Sequence, residues 1–332
     1  MATAVASSPG RVTVIGEHTD YNEGRALGVA TAQRTTVKAA AGTPGALEIT
    51  STIGTASCAI DAPAGPPFAV LAAALARAAG VQGVRLEVTS DLPMGAGLAS
   101  SAAYAVAVAL ALGIEGDAVT VARACQAAER DAGSDVGLLD QLVALEAREG
   151  TAVLIGFEAL SVAHVPVRGA IGLTVVDTGE RRALRASPYA QRRAECARAA
   201  EVIGPLGRAT AADVATLRDP VLARRARHVV TECARVDEAR RALEADDLGA
   251  LGSLLDAGHA SLRDEFEAST PGVEAVRDAV RAQPGIAGVR LTGAGFGGCL
   301  VVAHEPDASV AAQGRWTTRL RPGAGASVSP GR

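Results

Sequence analysis

The chain has 332 residues, 48% apolar and 20% charged, with a formal net charge of −4. That length predicts about two domains of roughly 150 residues each, with a core large enough to stand without disulfides or metals, and the composition excludes a disordered chain. The 32 basic residues include a single lysine, Lys38, and their densest run is Arg224, Arg225 and Arg227, so nucleic acid is not an expected partner.

Residues 10–15 and 27–40 run apolar or alternate with β-branched side chains, which predicts two strands around the charged turn EHTDYNEGR. Lys38 sits in TTVKAA without the glycines of a Walker pattern before it, so a Walker-type phosphate loop is excluded. Residues 47–61 read as a strand or hairpin, 67–80 as a helix and 83–90 as an alternating strand. The uncharged stretch from Leu92 to Ile114 opens on PMGAGLASS, which suits a loop over 93–101, and leaves only 102–113 for a buried helix. That is shorter than the roughly 20 residues a membrane span needs. Helices follow over 117–132 and 137–148, then a strand over 151–156 and mixed strand and loop over 160–178. Residues 187–204, 221–244, 246–261 and 271–283 read as helices, and 288–303 as strand, glycine turn, strand. The Gly/Pro-rich tail is expected to close a sheet edge.

This order is mixed rather than a regular β-α-β alternation, which favours an α+β class. The halves are expected to divide as 1–168 and 169–332. The five cysteines (58, 125, 196, 233 and 299) are scattered, with no CxxC, which fits thiols in a reducing cytoplasm. MATAVASSPGR has neither a charged start nor a long apolar core, so no secretory signal is expected.

Three segments carry chemistry. In GRVTVIGEHTDYN, Glu17, His18, Asp20 and Tyr21 crowd the end of an apolar strand. Carboxylates accept from hydroxyls and imidazole donates or accepts, so the turn suits a polyhydroxylated ligand; the alternative is an ordinary polar turn. In LPMGAGLASSA a glycine loop opens a buried helix. Backbone N–H groups and the helix N-terminus there suit a phosphate; the alternative is a helix cap supplied by Ser100 and Ser101. In LTGAGFGGC four glycines lie between two strands, which implies positive φ or close backbone approach and suits a ligand-facing loop. Between the last two, Asp140 opens an apolar helix, where the dipole favours an acid. Glu129 lies on the preceding helix, either solvated or directed at a metal.

Together, in this order and over most of the chain, GRVTVIGEHTDYNEG, LPMGAGLASSAA and LTGAGFGGC resemble the three motifs of the GHMP kinase superfamily, and of its galactokinase family in particular. The resemblance implies a two-domain GHMP kinase-like fold with the active site between the domains. It implies transfer of the ATP γ-phosphate, with Mg²⁺, to the anomeric hydroxyl of galactose or a related sugar. Asp140 would be the catalytic base and Arg11 would stabilise it. Glu17, His18, Asp20, Gly137 and Tyr189 would bind the sugar. Gly95, Gly97, Leu98, Ser100, Ser101, Gly293 and Gly295 would bind the nucleotide, and Ser101 with Glu129 would hold Mg²⁺. The implied partners are the sugar and ATP alone, with no membrane, for a monomer in the cytoplasm. Other readings are a kinase for another sugar or cyclitol and a non-catalytic sugar sensor of the same family.

Overall fold

The computed structural model describes residues 3–52, 54–93, 97–180 and 188–331. The elements in chain order are β1 (Ala4–Ile15), a 3-10 turn (Asp20–Asn22), β2 (Arg25–Ala41), β3 (Ala46–Ser51), β4 (Gly54–Ala59), α1 (Pro67–Ala78), β5 (Val84–Ser90), α2 (Ser100–Ala111), α3 (Ala118–Asp131), α4 (Leu139–Glu146), β6 (Thr151–Gly156), β7 (Ser161–Pro166) and β8 (Gly172–Asp177). They continue with α5 (Tyr189–Ile203), α6 (Ala211–Ala215), α7 (Pro220–Glu244), α8 (Leu248–Asp264), α9 (Pro271–Arg281), β9 (Ile286–Thr292), β10 (Cys299–His304), β11 (Thr317–Arg319) and β12 (Ser327–Pro330). The α+β expectation holds. The strand predicted over 10–15 begins six residues earlier, and α6 and β11 went unpredicted because both are very short.

Two sheets organise the molecule. The larger has the order β12-β1-β2-β5-β3-β4, with β6 joined to β2 and β7 to β6. Among the described residues only β3 and β5 pair in parallel. The smaller is antiparallel, in the order β11-β8-β10-β9. Helices α1, α2 and α4 pack on the larger sheet with α3 against all three, and α8 and α9 lie against β9 of the smaller. The last strand lies beyond the expected division at 168/169 in sequence and pairs with β1 of the first half, Ala4 opposite Pro330. The tail does close a sheet edge, but that of the other half.

Local chemistry explains the helix starts. Asp219 caps α7 by accepting from Val221 and Leu222 N–H, with Pro220 at the first helical position, and Thr270 caps α9 with Pro271 in the same place. Both follow the preference for a short polar cap before a proline whose missing N–H is not needed. The alanine-rich α2 is buried almost all round. No described helix is long and apolar enough to cross a membrane. Lys38 lies on the surface beside Glu87, at 3.6 Å, far in kind from a phosphate-binding lysine.

Candidate active site

The centre of the site is a pair contributed by β1 and α4. Arg11 donates to Asp140 Oδ1 through Nε at 2.6 Å, with Nη2 at 2.5 Å from the same oxygen. Arg11 Nη1 also donates to the Gly97 carbonyl at 3.0 Å, and the Arg11 backbone N–H to the Leu98 carbonyl at 3.1 Å. One arginine therefore fixes the glycine loop and the carboxylate together. Among the described residues both side-chain contacts fall on Oδ1, which leaves Asp140 Oδ2 as the oxygen open to an incoming hydroxyl. The Asp140 side chain keeps 29% of its exposure, enough for a substrate to reach it.

Beside this pair the turn after β1 gathers His18, Asp20 and Tyr21. His18 takes a left-handed backbone, φ 65°, a costly conformation for a non-glycine residue. It is held by Asn22, whose Nδ2 donates to the His18 carbonyl at 2.7 Å, by a hydrogen bond between its Nδ1 and the Tyr21 hydroxyl, and by the Phe266 ring stacked on it at 4.1 Å. Asp20 is pushed up to about 6 by burial and by neighbouring Asp140, against the pull of Arg193. Gly137 lies directly on it: a Cβ there would stand 1.7 Å from Asp20 Oδ2. Tyr189, at the start of α5, meets the His18 ring at 5.8 Å and the Tyr21 ring at 6.1 Å. Elements from both halves thus bring His18, Asp20, Gly137, Asp140 and Tyr189 together.

Glu17 is placed differently from an open sugar-facing acid. It is 2% exposed, bonded to Arg290 through Oε2 and to the Gly293 N–H through Oε1 at 3.2 Å. A carboxylate has about four acceptor positions, so it retains capacity for a hydroxyl, but its orientation is set from within the protein.

The glycine loop leads into α2. The alternative reading, a cap from Ser100 and Ser101, does not hold: the N-cap is Ala99, left-handed at φ 56°, with no side-chain cap. The first-turn N–H groups keep their need for an acceptor, as an anion site requires. Leu98 buries its side chain in the core beneath the loop, and its carbonyl is taken by the Arg11 N–H. Gly95 lies outside the described residues. Ser101 Oγ donates to Glu129 Oε1 at 3.0 Å, and Gln141 donates to Glu129 Oε2. Glu129 is 3% exposed, and burial pushes it up to about 7, with Asp140 adding to the rise and Ser101 opposing it.

The third glycine segment is held inside the protein. The Gly293 N–H is the one given to Glu17. Gly295, at φ 80°, rests on Ala268, where a Cβ would come within 2.7 Å of the Ala268 Cβ. The glycines expected to face a ligand therefore also serve close packing between segments.

Sequence reasoning missed several groups around these. Arg193 lies over the Tyr21 ring at 4.8 Å and donates to the Asp135 carbonyl at 2.9 Å, tying α5 to the loop before α4. Arg290, Glu232 and Phe266 were missed too. A usable signal existed for Arg290: it is the one charge in the apolar strand IAGVRLT.

Three family models match the chain: the galactokinase galactose-binding signature over residues 2–41, the N-terminal domain of GHMP kinases over 68–147, and the C-terminal domain of GHMP kinases over 239–321. A galactokinase from Mycobacterium tuberculosis (strain ATCC 25618 / H37Rv) is 39% identical, across 92% of this chain and 90% of its own. A galactokinase from Homo sapiens is 34% identical, across 91% of this chain and 84% of its own. The crystal structure of Lactococcus lactis galactokinase complexed with galactose superposes with a TM-score of 0.88 at 25% identity, covering 98% of this chain and 95% of that one. Methanococcus jannaschii mevalonate kinase shares the fold, with a TM-score of 0.69 at 15% identity over 96% of this chain and 98% of that one.

Proposed function

The chain belongs to the galactokinase family of the GHMP kinases, and on that premise we infer that it transfers the γ-phosphoryl group of ATP to the anomeric hydroxyl of galactose. The observation that carries the reading is the Arg11–Asp140 pair, set between an uncapped helix N-terminus and the His18–Asp20 turn.

Phosphoryl transfer rests on positioning and charge stabilisation more than on covalent help. Asp140 Oδ2 takes the proton of the sugar hydroxyl as the bond to phosphorus forms. Arg11 keeps that carboxylate aimed and offsets negative charge at the centre. Glu17, His18 and Asp20 bond the sugar hydroxyls, Gly137 leaves room for Asp20, and Tyr189 walls the sugar. The backbone of Gly95, Gly97 and Leu98, with Ser100 and Ser101, holds the phosphates. Gly293 and Gly295 complete that wall by fixing the loop between the halves. Residues 1–168 with the returning β12 form the phosphate-binding half, and the remainder forms the second half.

Ser101 and Glu129 would hold Mg²⁺. They fit it: among the described residues Glu129 bonds Ser101 and Gln141, neither of them a cation, and one buried carboxylate with one hydroxyl suits an ion that takes its other ligands from phosphates and water. Bound there, Mg²⁺ supplies positive charge to the phosphate oxygens. We read the chain as a monomer in the cytoplasm, a reducing compartment that suits its scattered cysteines, none of them in a CxxC. A silent sensor would not need Arg11, Asp140, Ser101 and Glu129 all in place.

A screen of ADP release over hexoses, amino sugars and pentoses, with sugar phosphate identified by mass, tests the assignment. Galactose is expected to turn over best. Folded protein that binds ATP and phosphorylates no sugar overturns it. Gly137→Ala should lower kcat/KM for galactose about 10²-fold, the order of loss when a group is misplaced by about 1 Å, in part through a higher galactose KM, with the KM for ATP little changed. An unaltered galactose KM would separate Gly137 from the sugar.

A further inference from the structure

The turn that carries His18 and Asp20 belongs to the first half of the molecule, yet its first two residues are held from the second. The Gly16 N–H donates to Glu232 Oε1 on α7 at 2.8 Å. The Glu17 carbonyl accepts from His228 Nε2, also on α7, at 3.2 Å. A carbonyl only accepts, so this nitrogen carries the proton, and Nδ1 takes the Ser261 hydroxyl at 2.8 Å. Burial pulls His228 down to about 4, so it acts as a neutral donor. The Glu17 carboxylate completes the set through Arg290 on β9.

Arg290 joins these contacts. Its guanidinium is fully buried and bridges two buried carboxylates, Nη2 to Glu17 and Nη1 to Glu232 Oε1 at 2.7 Å. Two carboxylates this close disfavour each other's charge, and only a cation between them lets both stay ionised. Burial works against ionisation of Glu232, but Arg290 and Arg235 outweigh it and hold its pKa far below the usual carboxylate range. Glu17 has Arg290 and the Gly293 N–H in its favour, yet burial leaves it at about 7, with Glu232 adding to the rise. Room for the guanidinium comes from Gly258 on α8, where a Cβ would stand 2.6 Å from Arg290 Nη1.

The nucleotide side of the site is anchored separately. The glycine loop and Asp140 hang on Arg11, and Ser101 hangs on Glu129. Arg290 touches this side at one remove only, through Glu17 and the Gly293 N–H.

We propose that Arg290 is a positioning residue for the sugar: by bridging Glu17 and Glu232 it fixes the Gly16–Asn22 turn from the second half, and so sets affinity for galactose far more than for ATP. The proposal rests on the assignment of that turn to sugar binding.

Arg290→Lys and Gly258→Ala test it by different routes. Lysine keeps the charge but loses the two-pronged bridge. Alanine at 258 suits a helix and leaves every charge in place, but pushes on Nη1. Each variant is measured for KM of galactose, KM of ATP and kcat, beside the parent and with thermal melting as a control for folding. The expected result is a rise of tenfold or more in the galactose KM, a change under twofold in the ATP KM, and a larger effect in Arg290→Lys. If Arg290→Lys does not fold, Gly258→Ala decides. Unchanged galactose KM in a folded variant, or equal rises in both KM values, overturns the proposal. Failure of the parent protein to phosphorylate galactose would instead overturn the functional assignment beneath it.

Discussion

Asp140→Asn should lower kcat about 10²–10⁴-fold, the range over which a positioned general base contributes, while galactose still binds within a few-fold of its parent affinity. Asparagine has the shape of aspartate, and its carbonyl oxygen can keep the Arg11 contacts that now fall on Oδ1. What is lost is the open oxygen that takes the proton. Steady-state ADP release and calorimetric titration with galactose measure the two quantities apart. A variant keeping more than a tenth of parent turnover would remove Asp140 as the base. A pH shift accompanies the substitution. Asp20 is raised to about 6 first by burial and then by the charge of Asp140. As pH falls through that value Asp20 gains a proton and stops acting as a pure acceptor, so galactose affinity falls on the acid side. Removing the Asp140 charge moves that midpoint lower, so the variant should hold galactose to more acid pH than the parent.

Arg11→Met should cost about 10²–10³-fold in kcat, as loss of one preorganised charge-stabilising group does, and should raise the KM for ATP as well. The second effect follows from the double attachment of Arg11, to Asp140 on one side and to the Gly97 carbonyl on the other. Without it the carboxylate loses its aim and the phosphate loop loses a tie. Arg11→Lys restores charge but not the three contacts made by Nε, Nη1 and Nη2, so it should recover only a part of the rate. The ATP KM separates Arg11 from Arg290, whose replacement should leave that constant nearly alone. Full activity in Arg11→Lys would reduce the role of Arg11 to simple charge.

Much of the fold was legible in the sequence because its elements carry local signals. Alternation over 83–90 became β5, and capping chemistry at Asp219-Pro220 and Thr270-Pro271 started α7 and α9. The glycine loop before α2 was legible from its composition, although the cap fell on Ala99 and not on a serine. Within the site, Arg11, His18, Asp20 and Ser101 could be named because each lies in a short motif, and Asp140 and Glu129 through the family resemblance. Glu17 could be named too, but not the partners that orient it.

By itself, then, the sequence determined the order and type of the main elements, the three loops that carry chemistry, and the family to which they belong. All of these depend on residues within a few positions of one another. The tertiary structure alone decided that β12 crosses back to β1, that Arg193 reaches Asp135, and that Arg290 stands between Glu17, 273 residues away, and Glu232, 58 residues away. Periodicity and turn chemistry act over one or two turns of chain. Contacts at such separations exist only once both sheets have packed, and a buried charge finds its partners only where that packing has removed the water that would otherwise have solvated it.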